Sequence, residues 1–197
     1  MGFFDNLFKS VIRQGTKEAV NQAVKAAGTK NYSYSFPKMP ETLEEMKALP
    51  EASLKDPAAV AALIVLALDR YGTDRQACFD MMNFLKGPES LSPTEQQQIN
   101  NQYMDGKNYV ARSYLKGATP ENNYTPSTPL TIEPFENPYS RDNYNQGYIK
   151  IFLTSGGADS PRYVVLRNKP STGQWFANQF MGLLMGIRIP KSEDKWA

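Results

Sequence analysis

Histidine is absent from this chain of 197 residues, and cysteine occurs once, as Cys78. The first absence removes the usual general base near neutral pH, the usual partner of a nucleophilic Ser or Cys, and the commonest metal ligand. The second leaves no intramolecular disulfide and no cysteine-based zinc site, which favours a reducing compartment. Long apolar runs are missing too: the longest, Ala58 to Leu68, is about half the roughly 20 residues that a membrane span needs. The N-terminus has Phe3 and Phe4 but no basic region ahead of an uninterrupted apolar one, so it does not read as a secretory signal. An excess of one charge is also lacking, with 22 basic and 20 acidic residues and a net charge of +2. No whole-chain field therefore recruits nucleic acid. These absences lead us to expect a cytoplasmic protein without cofactor or metal, and not an enzyme of ordinary design.

What is present is unevenly distributed. Residues 1 to 30 carry Lys9, Arg13, Lys17, Lys25 and Lys30 against Asp5 and Glu18, for a net +3, whereas residues 56 to 105 carry three bases against seven acids, for a net −4. Within residues 3 to 27, Phe4, Leu7, Phe8, Val11, Ile12, Ala19, Val20, Ala23 and Val24 recur at spacings of three and four, the period of an amphipathic helix. Gly15 interrupts the stripe and Gly28 supplies a stop. Residues 1–30 are thus expected as an amphipathic helix, and 31–40, with two prolines and alternating Tyr and Ser, as an extended linker.

A single α+β domain is expected over residues 41–190, with a tail at 191–197. Its first part, 41–105, reads as three to four helices: a short one ended by Pro50, one capped by Asp56-Pro57 and apolar on every face, one capped by Thr73, and one opened by Ser92-Pro93 with Glu95. Residues 118–129 are too rich in proline for a helix. The β part, 130–189, holds strand candidates at Leu130 to Phe135, Tyr148 to Thr154, Arg162 to Arg167 and Gln174 to Asn178, with a fifth at Leu184 to Ile189. Short connections make these four to five strands an antiparallel meander packed against the helices.

Chemistry-bearing residues each have a plain structural explanation. Cys78, among Ala77, Phe79, Met81 and Met82, reads as a buried thiol. Asp69, Asp74 and Asp80 lie on neighbouring helices, but nothing in their spacing demands an acid/base pair. Gly156-Gly157 is followed by a strand rather than a helix, which suits a hairpin turn at positive φ better than a phosphate cradle. Of the eleven tyrosines, seven lie between Tyr103 and Tyr148, interleaved with Asn. Residues 106 to 160 balance five bases against five acids, so these rings suit a loop pinned to the sheet rather than a nucleic-acid groove. Tyr124, Asn122, Asn123, Asp159, Arg162 and Trp175 are the candidates for a contact surface or pocket.

Four segments carry a resemblance: Phe36 to Met46 (FPKMPETLEEM), Asp56 to Leu63 (DPAAVAAL), Ala118 to Tyr124 (ATPENNY) and Ser155 to Arg162 (SGGADSPR). Together they resemble an uncharacterised bacterial family known only as a domain of unknown function, over about residues 36–190. The resemblance implies a coherent domain and a bacterial origin, and brings no activity.

The N-terminal stripe is where function is expected. Phe4, Leu7, Phe8, Val11 and Ile12, flanked by Lys9 and Arg13, suit docking on the chain's own domain, a protein partner or second copy, or peripheral contact with a membrane. The functional reading is a non-enzymatic interaction or scaffold protein that associates through this helix. The alternative is a small-ligand-binding protein or carboxylate enzyme with a pocket between sheet and helices.

Overall fold

Asp56 and Pro57 begin the helix at the centre of the described residues. The computed structural model describes residues 28–196, and the helix α2 within it spans Pro57–Asp69. The Asp56 carboxylate accepts from the Ala58 amide at 3.0 Å, and Pro57 occupies the first position, where no amide is needed. Every residue from Ala58 to Asp69 is buried, as a helix apolar on all faces requires.

Three further helices are present among the described residues. These are α1 (Leu43–Lys47), α3 (Arg75–Lys86) and α4 (Pro93–Gln102). Ser92 and Glu95 form the reciprocal capping pair expected for α4. Asp74, not Thr73, caps α3, its carboxylate accepting from the Ala77 amide at 2.9 Å. Gly87 closes α3 at φ +67°.

The expected meander is there, antiparallel throughout, with the order β1-β4-β5-β6-β7. Its strands are β1 (Lys30–Asn31), β4 (Pro134–Glu136), β5 (Tyr148–Leu153), β6 (Arg162–Lys169) and β7 (Gln174–Gln179). A second ladder pairs β2 (Tyr34–Phe36) with β3 (Leu130–Ile132). Two sequence expectations need correcting here. Residues 31–40 are not simply a linker, because Lys30 and Asn31 pair with Glu136 and Phe135 at the edge of the main sheet. Leu184 to Ile189 forms no strand: Met181–Leu184 is a 3-10 turn that buries Leu183 and Leu184.

Alternation along the strands decides which side faces the helices. Ile149, Ile151 and Leu153 of β5, Val164 and Leu166 of β6, and Trp175 and Ala177 of β7 are buried and join the core with α2 and α3. Both α2 and α3 thus lie against the sheet, and the buried residues of all three belong to one cluster.

Candidate interaction surface

The positions between those buried ones point away from the helices. Tyr148, Lys150 and Phe152 of β5, Tyr163, Val165 and Arg167 of β6, and Phe176 and Asn178 of β7 are half-buried or exposed. Register then aligns three rings from three strands. Phe135 lies opposite Phe152 and Phe152 opposite Tyr163. Their centroids are 5.6 and 5.7 Å apart, within the range of favourable aromatic pairs. Tyr163, at the end of the row, keeps 45% of its surface exposed.

Two bases lie over rings on the same face: Lys150 Nζ is 5.7 Å from the Tyr163 centroid, and the Arg167 guanidinium is 5.9 Å from that of Tyr148. A hollow of about 360 Å³ beside Tyr148, Lys150 and Val165 adjoins one of about 590 Å³ beside Tyr163, and Asn178 and Gln179 line both. At the β7 edge the turn after α3 closes the face. Gly87 approaches Phe176 so nearly that an added Cβ would lie 2.3 Å from its ring. Aromatic, shallow and lightly basic, this surface suits apolar contact rather than chemistry.

Most of the residues singled out from the sequence fasten the fold. Tyr124 is fully buried, stacked on Tyr109 with centroids 5.1 Å apart, and its hydroxyl donates to the Arg188 carbonyl at 2.6 Å. Burial pushes that phenol up to about 12. Asn122 closes its own turn, donating to the carbonyls of Gly117 and Thr125. Asn123 takes the left-handed conformation at φ 54° and accepts from Ser192. Asp159 pairs with Arg188 at 3.2 Å, and Arg162 donates to the carbonyls of Ser160 and Met185. The segment 185–192 gathers Tyr124, Asn123, Asp159 and Arg162 by these bonds. Trp175 stands apart, 6% exposed, with Tyr144 against its ring.

The two glycines between β5 and β6 serve close approach rather than positive φ. Neither Gly156 nor Gly157 has a positive φ. A Cβ on Gly156 would lie 2.0 Å from the Ala118 carbonyl oxygen, and one on Gly157 would lie 2.0 Å from the Tyr124 hydroxyl. The segments 118–124 and 155–162, which carried the family resemblance, are packed together at these two points.

Buried reactive groups are held within the fold. Cys78 is buried and its thiol is raised by loss of solvent. Burial also raises the Asp69 carboxyl, against the pull of Arg112, which grips it through Nε and Nη2 at 3.1 Å each. Glu136 takes hydrogen bonds from Tyr32 and Arg141. Despite burial, these partners hold its carboxyl below the ordinary 4.5. Among the described residues no group of three or more His, Cys, Asp or Glu is placed to hold a metal ion. In the same span no helix is long and apolar enough to cross a membrane.

Phe4, Leu7, Phe8, Lys9, Val11, Ile12 and Arg13 lie outside the described residues, as does the amphipathic helix expected there. The row Phe135–Phe152–Tyr163 was not foreseen. Its signal was available in the alternation of YIKIFL, whose buried Ile149, Ile151 and Leu153 leave Phe152 on the opposite side.

Residues 38–191 match the model of a family described as Domain of unknown function (DUF6935), and the chain belongs to that family. No curated protein and no solved structure matches the chain.

Proposed function

We propose that this member of the family is a non-enzymatic interaction module. It associates with other components through its amphipathic N-terminal stretch, for which the structured domain provides a base. The observation that carries this reading is the aromatic row on the outer sheet face, which ends beside β1, the strand into which that stretch leads. A surface of this kind binds by area and shape. The internal partners of Asp69 and Glu136 and the burial of Cys78 agree with it.

The test is truncation. β1 begins at Lys30, so removing residues 1–27 leaves the ladder to β4 whole. Mass in solution by analytical ultracentrifugation, and sedimentation with vesicles containing anionic lipid, are compared for the two chains. The reading requires that association with itself or with vesicles falls on truncation. It is wrong if neither changes and the full chain also retains no component of its host lysate beyond what the truncated one retains.

One observation favours a second reading, binding of a small oxyanion. Arg70 and Arg112 line a hollow of about 280 Å³ with Asp69 and Thr73, and Arg70 Nε is buried there without a hydrogen-bond partner. Thermal stabilisation by millimolar phosphate or citrate, lost in Arg70→Ala, would favour it over the module.

A further inference from the structure

Three of the described arginines are half-buried, Arg70, Arg112 and Arg162. Arg112 pairs with Asp69, and Arg162 bonds the carbonyls of Ser160 and Met185. The Arg70 side chain has no such partner among the described residues, and its Nε is buried without a hydrogen bond. A guanidinium held partly out of water is costly unless something accepts from it.

The hollow of about 280 Å³ that Arg70 lines, at the end of α2, has a lining of two kinds. The charged part is Arg70, Arg112 and Asp69, and the apolar part is Met39, Leu115, Pro126 and Leu130. Backbone bonds fix the apolar part. Phe36, three residues before Met39, pairs with Leu130 in the β2–β3 ladder. The Lys116 amide bonds the Thr131 carbonyl, and the Ser127 amide bonds the Lys116 carbonyl, each at 2.8 Å. A preformed apolar wall with a few converging polar groups is the usual make-up of a small-ligand site.

Charge narrows the class of ligand. Arg112 holds both oxygens of Asp69 through Nε and Nη2, as an ionised carboxylate is held, which leaves Nη1 over. Glu45, which also feels Arg70, is itself paired with Lys38. Two guanidinium groups against one carboxylate leave one positive charge in the lining, which a monoanion balances. A phosphate, near about −2, would exceed it and leave the apolar wall uncovered.

We infer that this hollow binds a small organic acid with one carboxylate and a short apolar tail. The carboxylate accepts from Arg70 and from Nη1 of Arg112, and the tail lies on Met39, Leu115, Pro126 and Leu130. This rests on the second reading above, the oxyanion site, and replaces an inorganic ion by an amphipathic acid.

The test compares acetate, butyrate, hexanoate and inorganic phosphate by the thermal midpoint of the full chain. Affinity is expected to rise about twofold to fourfold with each methylene. Spectra of isotopically labelled methionine methyls locate the site without any substitution: hexanoate should move Met39 and leave Met104 and Met185, exposed elsewhere, in place. Arg70→Gln should weaken hexanoate by about tenfold or more. Pro126→Ser, which removes part of the wall and no charge, should weaken hexanoate and leave acetate unchanged. Equal affinity for acetate, hexanoate and phosphate, lost in Arg70→Gln, would overturn the inference and leave the oxyanion reading standing. A shift at Met185 instead of Met39, or hexanoate binding unaltered in both variants, would overturn it in favour of adventitious apolar contact. If none of the four ligands stabilises the chain at tens of millimolar, both the inference and the oxyanion reading are wrong.

Discussion

The two faces of the five-stranded sheet are made by the same strands and differ in almost everything else. The inner one is aliphatic, with Ile149, Ile151, Leu153, Val164 and Leu166 at 1% exposure or less, and it is filled by α2. The outer one is aromatic, half-exposed and lightly basic. Aliphatic side chains interdigitate with a helix and leave no gaps, whereas rings set edge to edge make a broad surface that something else can lie on. The difference separates what folds the domain from what the domain can hold.

The largest expected effect sets one face against the other. Ile151→Ala should lower the unfolding free energy, measured in urea, by about 2–5 kcal/mol, because the site is fully buried. That cost should be equal with and without residues 1–27. Its neighbour Phe152→Ser should cost about 1 kcal/mol or less in the truncated chain, where the ring faces solvent. A cost as large as that of Ile151→Ala would remove the contrast between the faces.

Next in size is Gly156→Ala. The added methyl would meet a backbone carbonyl that no rotamer change can move, so a loss of about 1–3 kcal/mol is expected in the same measurement. Tyr124→Phe should cost about 1 kcal/mol, the net worth of one hydrogen bond to the Arg188 carbonyl.

The smallest effect is in pH. Glu136 has a carboxyl held below its ordinary value in the folded chain, so it adds stability above about pH 4.5 that disappears as pH falls through the depressed value. Glu136→Gln should therefore flatten the acid limb of the stability curve. Amide exchange should place the acid loosening of the unsubstituted chain first at Asn31 and Phe135, beside that carboxylate.

The helices were legible because their signals are local. Asp56-Pro57, Ser92-Pro93 with Glu95, and Gly87 act within one turn, and all three behave as their chemistry dictates. The strands from Leu130 to Gln179 were legible in alternation but not in their breaks. One expected run divides at Glu133 because its two halves pair with different partners, β2 and β1. β1 itself was hidden: two residues carry no period, and their pairing with Phe135 and Glu136 spans more than a hundred residues of chain. Tyr124 stood with Asn122 and Asn123 among the candidates for a contact surface or pocket, yet the close approach that Gly157 allows to its hydroxyl belongs to the packing of the fold. The outer row escaped notice because aromatic residues in strands are ordinarily credited to the core, and only register shows that Phe135, Phe152 and Tyr163 share a face.

The shortness of β1 has a consequence for solubility. A bare strand edge offers unpaired amides and carbonyls to any other chain. Here two residues, Lys30 and Asn31, with the Tyr32 amide bonded to Pro134, stand between the β4 edge and solvent. A chain cut at residue 27 keeps that guard, and one cut at residue 33 loses it. The second should precipitate where the first stays in solution, though the two differ by six residues.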